Sequence, residues 1–436
     1  MRDIVFTALV FGMLPVVLAR PLIGMLLFVW ISLMTPHRFT WGFAYDFPFA
    51  ALVAVCILIG LLLTKDKVRY EPNLVLWLLI LLPLWMCVTT VFAFEREIAQ
   101  FRLGEVLKVF LFVHVAAMVL KSRKHVEWLI WVMVISVGIF GIKGGLFTIV
   151  NAGVSRVYGP PGNSFLSDNN AISIALVMVI PLMGYLRSVT SSQWVRLGLL
   201  LSMLLSGMAV LGTYSRGALL AVGAMVFFLW LKSQRKLVFG AALIALVPFA
   251  IGFMPSHWTD RMNSISNYEQ DSSAMGRINS WTTAVNIAND RPLVGGGFEL
   301  YTARTFARYA PNPDDVHSAH SVYFQMLGEH GYVGLLILLS ILASAWFVAR
   351  QTIALSRRGD EGAWAGALAR AIQVSLVGYC VGGAFVNISY WELPYYEIVI
   401  LVVARKLVSA PMGTPAATAG HASTLSPQPP SRQPAG

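Results

Sequence analysis

Two histidines three residues apart, His317 and His320, follow an acidic pair, Asp314 and Asp315, and precede Glu329 and His330. A neutral imidazole beside a hydroxyl group can take its proton in a transfer reaction, with Glu329 or an aspartate to orient the ring. Residues 321–329 read as a helix ended by Gly331, and spacings of three and four place His317, His320 and Phe324 near one face. Three readings compete for the pair: a general base, a structural polar contact, and a zinc site completed by Asp314 or His330. No established ligand spacing supports the zinc site. Asp314 and Asp315 also lack the third spaced carboxylate of a magnesium site.

Arginines supply the complementary chemistry. Arg216, in Thr213-Tyr214-Ser215-Arg216-Gly217-Ala218, stands at the start of a helix, where the dipole is positive and a cation is unfavourable, so something negative belongs nearby. A helix N-terminus with a guanidinium is a ready anion site, and Gly217 would let a ligand approach the backbone. The competing reading is an arginine snorkelling to the membrane interface. Arg156 lies in a turn-rich loop that leads to Asp168-Asn169-Asn170, capping residues for the next helix whose asparagines also suit sugar hydroxyls. Arg277 opens an apolar stripe over residues 277–288, an amphipathic helix on the membrane face, which Pro292 and the Gly295-Gly296-Gly297 run break. That run lacks the lysine and the strand-to-helix context of a nucleotide loop.

The elements that carry these residues belong to a membrane protein. With 57% hydrophobic and 12% charged residues among 436, the chain is far too apolar for a water-soluble globule. Apolar runs recur near 4–18, 21–35, 46–64, 73–93, 104–120, 126–150, 169–186, 196–213, 217–231, 237–254, 333–349, 364–387 and 396–409. They predict an all-α polytopic protein of twelve or thirteen transmembrane helices, the first two runs forming two tilted helices or one element broken at Pro15 and Pro21. No cleavable signal peptide is expected. The net charge of +11 resembles a nucleic-acid signal until the cations are placed. Lys65, Lys67 and Arg69; Lys121, Arg123 and Lys124; Arg187 and Arg196; Lys232, Arg235 and Lys236; Arg350, Arg357 and Arg358; and Arg405 with Lys406 follow alternate spans, which assigns those loops to the cytoplasm. Topology thus accounts for most of the charge, and nucleic acid drops out as a partner.

The same parity puts residues 255–332 outside, with the 151–168 loop, the 214–216 corner and the 388–395 turn. The outward loops carry Arg38, Arg96, Arg102, Arg156, Arg216, Arg261, Arg277, Arg291, Arg304 and Arg308 and no lysine. Guanidinium forks match phosphate oxygens and stay charged when desolvated, which suits a lipid-linked phosphate. Cys56, Cys87 and Cys380 sit inside apolar runs as small core residues. The organisation expected is a helix bundle over 1–254, an outward amphipathic segment over 255–332, a C-terminal helix group over 333–410 and a disordered cytoplasmic tail over 411–436.

Ser215-Arg216-Gly217-Ala218-Leu219-Leu220, then Arg277 with Trp281 and the 292–297 run, then His320-Ser321-Val322-Tyr323 and Glu329-His330-Gly331 to Leu335 form an ordered set. Over roughly residues 150–345 this set resembles the bacterial O-antigen ligase/polymerase family. The resemblance implies a membrane-integral glycosyltransferase of the C type in the bacterial inner membrane, with its site on the periplasmic side and with neither metal nor cofactor. Its donor would be an undecaprenyl-diphosphate-linked polysaccharide and its acceptor the lipid A-core oligosaccharide. The family histidine falls on His320 and the phosphate-contacting arginine on Arg216, with Arg277 and Arg156 in support. His317 and Glu329 are candidate assistants, and Asn170 and Tyr214 join the substrate-binding set.

The chemistry is coherent with that implication. Outside the cytoplasm no nucleotide sugar is at hand, so the bond energy must arrive on a lipid diphosphate, a good leaving group that needs charge stabilisation more than a proton. An O-antigen polymerase and a protein O-oligosaccharyltransferase share this donor; the N-terminal half also resembles O-glycosylation ligases. A transporter of lipid-linked glycan would need charges along its path, and Lys108, Lys143 and Arg370 are the only basic residues well inside spans. A membrane scaffold would leave the outward arginines and histidines without a purpose.

Overall fold

A computed structural model describes residues 1–64, 70–162, 164–233, 236–263, 271–358 and 362–409. Lys65, Lys67, Arg69, Arg235, Asn163 and the tail over 411–436 lie outside the described residues. The described chain is helical: α1 Arg2–Ala19, α2 Pro21–Met34, α3 Phe49–Leu63, α4 Leu74–Val91, α5 Arg96–Val119, α6 Arg123–Val150, α7 Asn169–Val189 and α8 Gln193–Gly212. Then follow α9 Arg216–Lys232, α10 Lys236–Gly252, α11 Ser256–Asn263, α12 Ser272–Asp290, α13 Ala303–Tyr309, α14 Val322–Leu355, α15 Ala363–Gly382 and α16 Leu393–Ser409.

Each of the thirteen apolar runs coincides with one of these helices. Among the described residues, seven helices are long and apolar enough to cross a membrane: α1, α4, α6, α7, α8, α14 and α15. The two opening runs form two helices. Arg20 leaves helical geometry at φ −136° and ψ 86°, and Pro21 takes the first position of α2, where its missing N–H is no loss. Pro15 is accommodated inside α1.

Helices α7 and α16 are buried over most of their length and form the centre with α15 and the first part of α14, whereas α1 buries only Val10 and Val17. Lipid tails are as apolar as leucine, so close packing rather than water exclusion must hold such helices together. The contact between α6 and α8 shows how: a Cβ at Gly145 would run into the Leu205 backbone, so only glycine lets the two helices approach this closely.

Loops that the charge pattern places on one side meet one another. The Asp3 carboxylate accepts the Gly42 N–H (2.9 Å), Asn169 Nδ2 donates to Thr213 O (2.8 Å), Arg291 donates to Phe92 O (2.6 Å) and Asn387 Oδ1 accepts from Ser321 N (3.2 Å). At the other end Lys406 pairs with Glu71 at 3.0 Å, and Arg20, Thr64, Lys121 and His125 line one cavity. The described residues of 255–332 sit on the first end, as α11, α12, α13 and the start of α14.

A break in α14 fixes the geometry of that end. Gly331 has φ 69° and ψ −172°, so the helix stops and restarts there, close to the expected position. The carbonyls of Gly328, Glu329 and His330 receive Gly296 N–H (2.8 Å), Gly297 N–H (2.9 Å) and the Trp85 indole (3.1 Å), and Tyr332 N–H turns to Pro292 O (2.9 Å). The glycine run is thus a backbone splice that satisfies polar groups where water is scarce.

Candidate active site

Arg216 is the first residue of α9, with Ser215 as N-cap accepting the Ala218 N–H at 3.3 Å. The anionic neighbour that a cation at a helix start requires is Asp271, 2.5 Å from the Arg216 guanidinium in a largely buried pair. Asp271 also caps α12, accepting from Ala274 N at 3.1 Å. This cap starts α12 at Ser272, five residues before Arg277, so Arg277 lies within the helix and does not open it. Gly217 serves helix packing and not ligand approach: a Cβ there would lie 2.8 Å from the Phe385 Cβ.

Three more guanidinium groups gather around Arg216. Arg261 of α11 donates through Nε to Tyr214 O at 3.2 Å, and Arg156 lies 5.5 Å over the Tyr214 ring. Burial first, and then the neighbouring Arg216 and Arg261, hold the Arg277 guanidinium below its ordinary pKa. Burial, Arg156 and Arg216 do the same for Arg261. Both groups remain cations, because arginine begins far above neutrality. Four elements thus hold like charges within repelling distance, which is stabilised when an anion joins them. Tyr214 supports the arrangement with its backbone at φ 59°; its buried hydroxyl donates to Gly153 O (2.6 Å) and meets His257 Nε2 (2.7 Å).

His320 stands beside this group. It does not share a helical face with His317, because Ser321 caps α14 and residues 315–320 precede the helix. The backbone is pinned at each neighbour: Ser280 Oγ donates to His317 O (2.8 Å), the Trp281 indole to Ala319 O (2.7 Å), and Ser321 N to Asn387. Trp281 is itself fixed by stacking on Phe324 at 4.9 Å. So held, His320 adopts φ 43°, a left-handed conformation that costs a non-glycine residue about 1–2 kcal/mol. Burial and then the Arg277 charge push its imidazole below the ordinary value near 6.5, with Asp168 opposing, so the ring is neutral at pH 7.

The remaining expected residues divide. His317 is exposed, with Nδ1 3.1 Å from Asp315 Oδ1, and α12 packs on both residues at Gly276. Asn170 lies in the first turn of α7, where Asp168 is the cap (2.8 Å to Asn170 N) and the Asn170 carbonyl accepts from Ser173 Oγ. Glu329 is buried among other partners: the Tyr390 hydroxyl, Gln325 Nε2 (3.5 Å) and the Glu299 N–H (3.3 Å). His330 is engaged by Thr89 Oγ1 (2.7 Å) and Tyr390 (2.8 Å), so it does not complete a ligand set with the other two histidines. Asp168 is legible in the sequence only as a helix cap and Arg261 only as one outward arginine among ten, and nothing in the sequence singles out Asp271.

Two family models match the chain. Residues 1–191 match a family of unknown function, and residues 201–339 match the O-antigen ligase family. No curated protein matches it. Arg216, Arg261, Arg277 and His320 fall in the second match, and Arg156 and Asp168 in the first. Over residues 201–339 this membrane-helix chain carries the domain of the O-antigen ligase family, a family of ligase-type glycosyltransferases.

Proposed function

We propose that the protein transfers O-antigen polysaccharide from undecaprenyl diphosphate to a sugar hydroxyl of lipid A-core, at the periplasmic face of a bacterial inner membrane. The observation that carries this reading is the meeting of a neutral, burial-shifted His320 with Arg277, which in turn lies beside Arg216 and Arg261. His320 takes the proton of the acceptor hydroxyl as its oxygen attacks the anomeric carbon. The bond from that carbon to the diphosphate breaks, the electron pair leaves on the diphosphate, and the anomeric centre inverts. Arg216, Arg277, Arg261 and Arg156 hold the developing negative charge, the task a metal ion performs in other transferases. His317, paired with Asp315, stands three residues away as an auxiliary candidate.

The test is transfer by the full chain in lipid nanodiscs, with undecaprenyl-diphosphate-linked polysaccharide as donor and rough lipopolysaccharide or a pilin-type protein as acceptor, each with and without chelator. Glycan on lipopolysaccharide despite chelator is the expected result. Product on the pilin alone, or elongation of lipid-linked glycan alone, would replace the acceptor, and loss of activity with chelator would replace the arginine mechanism.

A further inference from the structure

The segment that carries the histidines has a second side. His317 lines a cavity of about 220 Å³ with Arg102, Glu299, Gln325, Asn387 and Tyr390, and none of the four clustered arginines faces it. We propose that this cavity binds one sugar ring of the acceptor, an assignment that rests on the transfer reaction proposed above.

The walls have the chemistry for a ring of hydroxyls. Carboxylates and amide oxygens accept from hydroxyl groups, and the Arg102 fork donates to them. Arg102 Nε is buried without a hydrogen-bond partner among the described residues, although Glu299 Oε1 lies 3.5 Å away. Its guanidinium stacks 4.9 Å over Phe165, which also borders the cavity and offers an apolar face to ring C–H groups. Pockets of this kind rely on few polar groups that are held in place beforehand.

These groups are held. Glu299 has φ 55°, a second left-handed non-glycine residue beside the histidine segment, and its N–H is fixed on Glu329 Oε1. Glu329 is in turn fixed by Tyr390 and Gln325, and its carbonyl by Gly297. The helix break and the glycine splice thus set the cavity wall. Asn387 joins the cavity to the base, because its side chain accepts from Ser321 N, the peptide next to His320. Val316, His317 and Ser318 form part of the cavity wall and lead directly to His320 in the chain, so a ring bound there lies beside the segment that carries the base.

The experiment titrates deacylated core oligosaccharide of rough lipopolysaccharide against the full chain in nanodiscs without donor. Saturable binding is expected, with Glu299→Gln and Arg102→Gln each weakening it about tenfold and leaving undecaprenyl diphosphate binding within about twofold. Retained diphosphate binding also shows that the variants are folded. No saturable binding by the unmodified protein, unchanged binding in both variants, or an equal loss of diphosphate binding would overturn the subsite. Binding that behaves as expected in a protein that transfers nothing would instead overturn the reaction and leave the subsite standing.

Discussion

The two flanks of residues 315–321 are built from opposite materials. On one flank Arg156, Arg216, Arg261 and Arg277 arrive from a loop and three helices, with Asp271 and Asp168 as their carboxylates. On the other, Glu299, Glu329, Gln325 and Asn387 face a single guanidinium, Arg102. For the transfer reaction proposed above, the difference would sort two substrates around one base. A leaving diphosphate requires fixed positive charge, whereas a neutral sugar hydroxyl requires hydrogen-bond acceptors and a base that has not been protonated.

Substitutions should break that division in graded ways. The largest effect is expected from His320→Ala, which removes the group both flanks share: transfer should fall about 10²–10⁴-fold while core oligosaccharide and undecaprenyl diphosphate still bind. Loss of either binding would show that His320 shapes a flank and does not merely serve the reaction. Next, Arg216→Ala should lower transfer about 10²–10³-fold and weaken diphosphate binding alone, and Arg216→Lys should not restore it, since a point charge cannot replace a fork. Gly331→Ala attacks the common support. Its Cβ would meet the Leu293 and Pro292 carbonyls at a positive φ, so a destabilisation of about 1–3 kcal/mol is expected in thermal unfolding of the detergent-solubilised protein.

The smallest effect sharpens the comparison most. The proposed base works in its neutral form, so the rate should be level at pH 7 and fall on acidification, with a midpoint below that of free imidazole. Arg277→Gln removes a neighbouring cation and should raise that midpoint. Asp168→Asn removes a neighbouring anion and should lower it, so opposite displacements in the pH–rate profile are the signature. An unchanged midpoint in both variants would mean that burial alone sets the ring.

Much of this was legible in residue type and order. Hydropathy marked the apolar helices, alternating basic loops told which loops would meet, and Arg216 at a helix start announced an anionic partner. The partner's identity was not legible, because Asp271 is adjacent to Arg216 only through the fold, 55 residues away in the chain. A helical face was the wrong frame for His317 and His320, since the Ser321 cap and the φ of 43° at His320 hold them before the helix. In sequence the glycine run reads as a simple breaker, because its hydrogen bonds go to carbonyls more than thirty residues later. Glu329 looked like an assistant to His320 by proximity in sequence. Its Tyr390 and Gln325 partners put it in the wall of the other flank.

The splice between Gly296, Gly297 and the end of the first part of α14 has a practical corollary for anyone re-engineering this chain. Residues 292–297 form a connector that starts exposed and ends buried, and the amide groups of Gly296 and Gly297 complete another segment's hydrogen bonding. An epitope tag or a single extra residue placed there would shift the register of those amides and leave carbonyls stranded in a dry setting. Length in this short connector is therefore as constrained as side-chain identity in a packed interior.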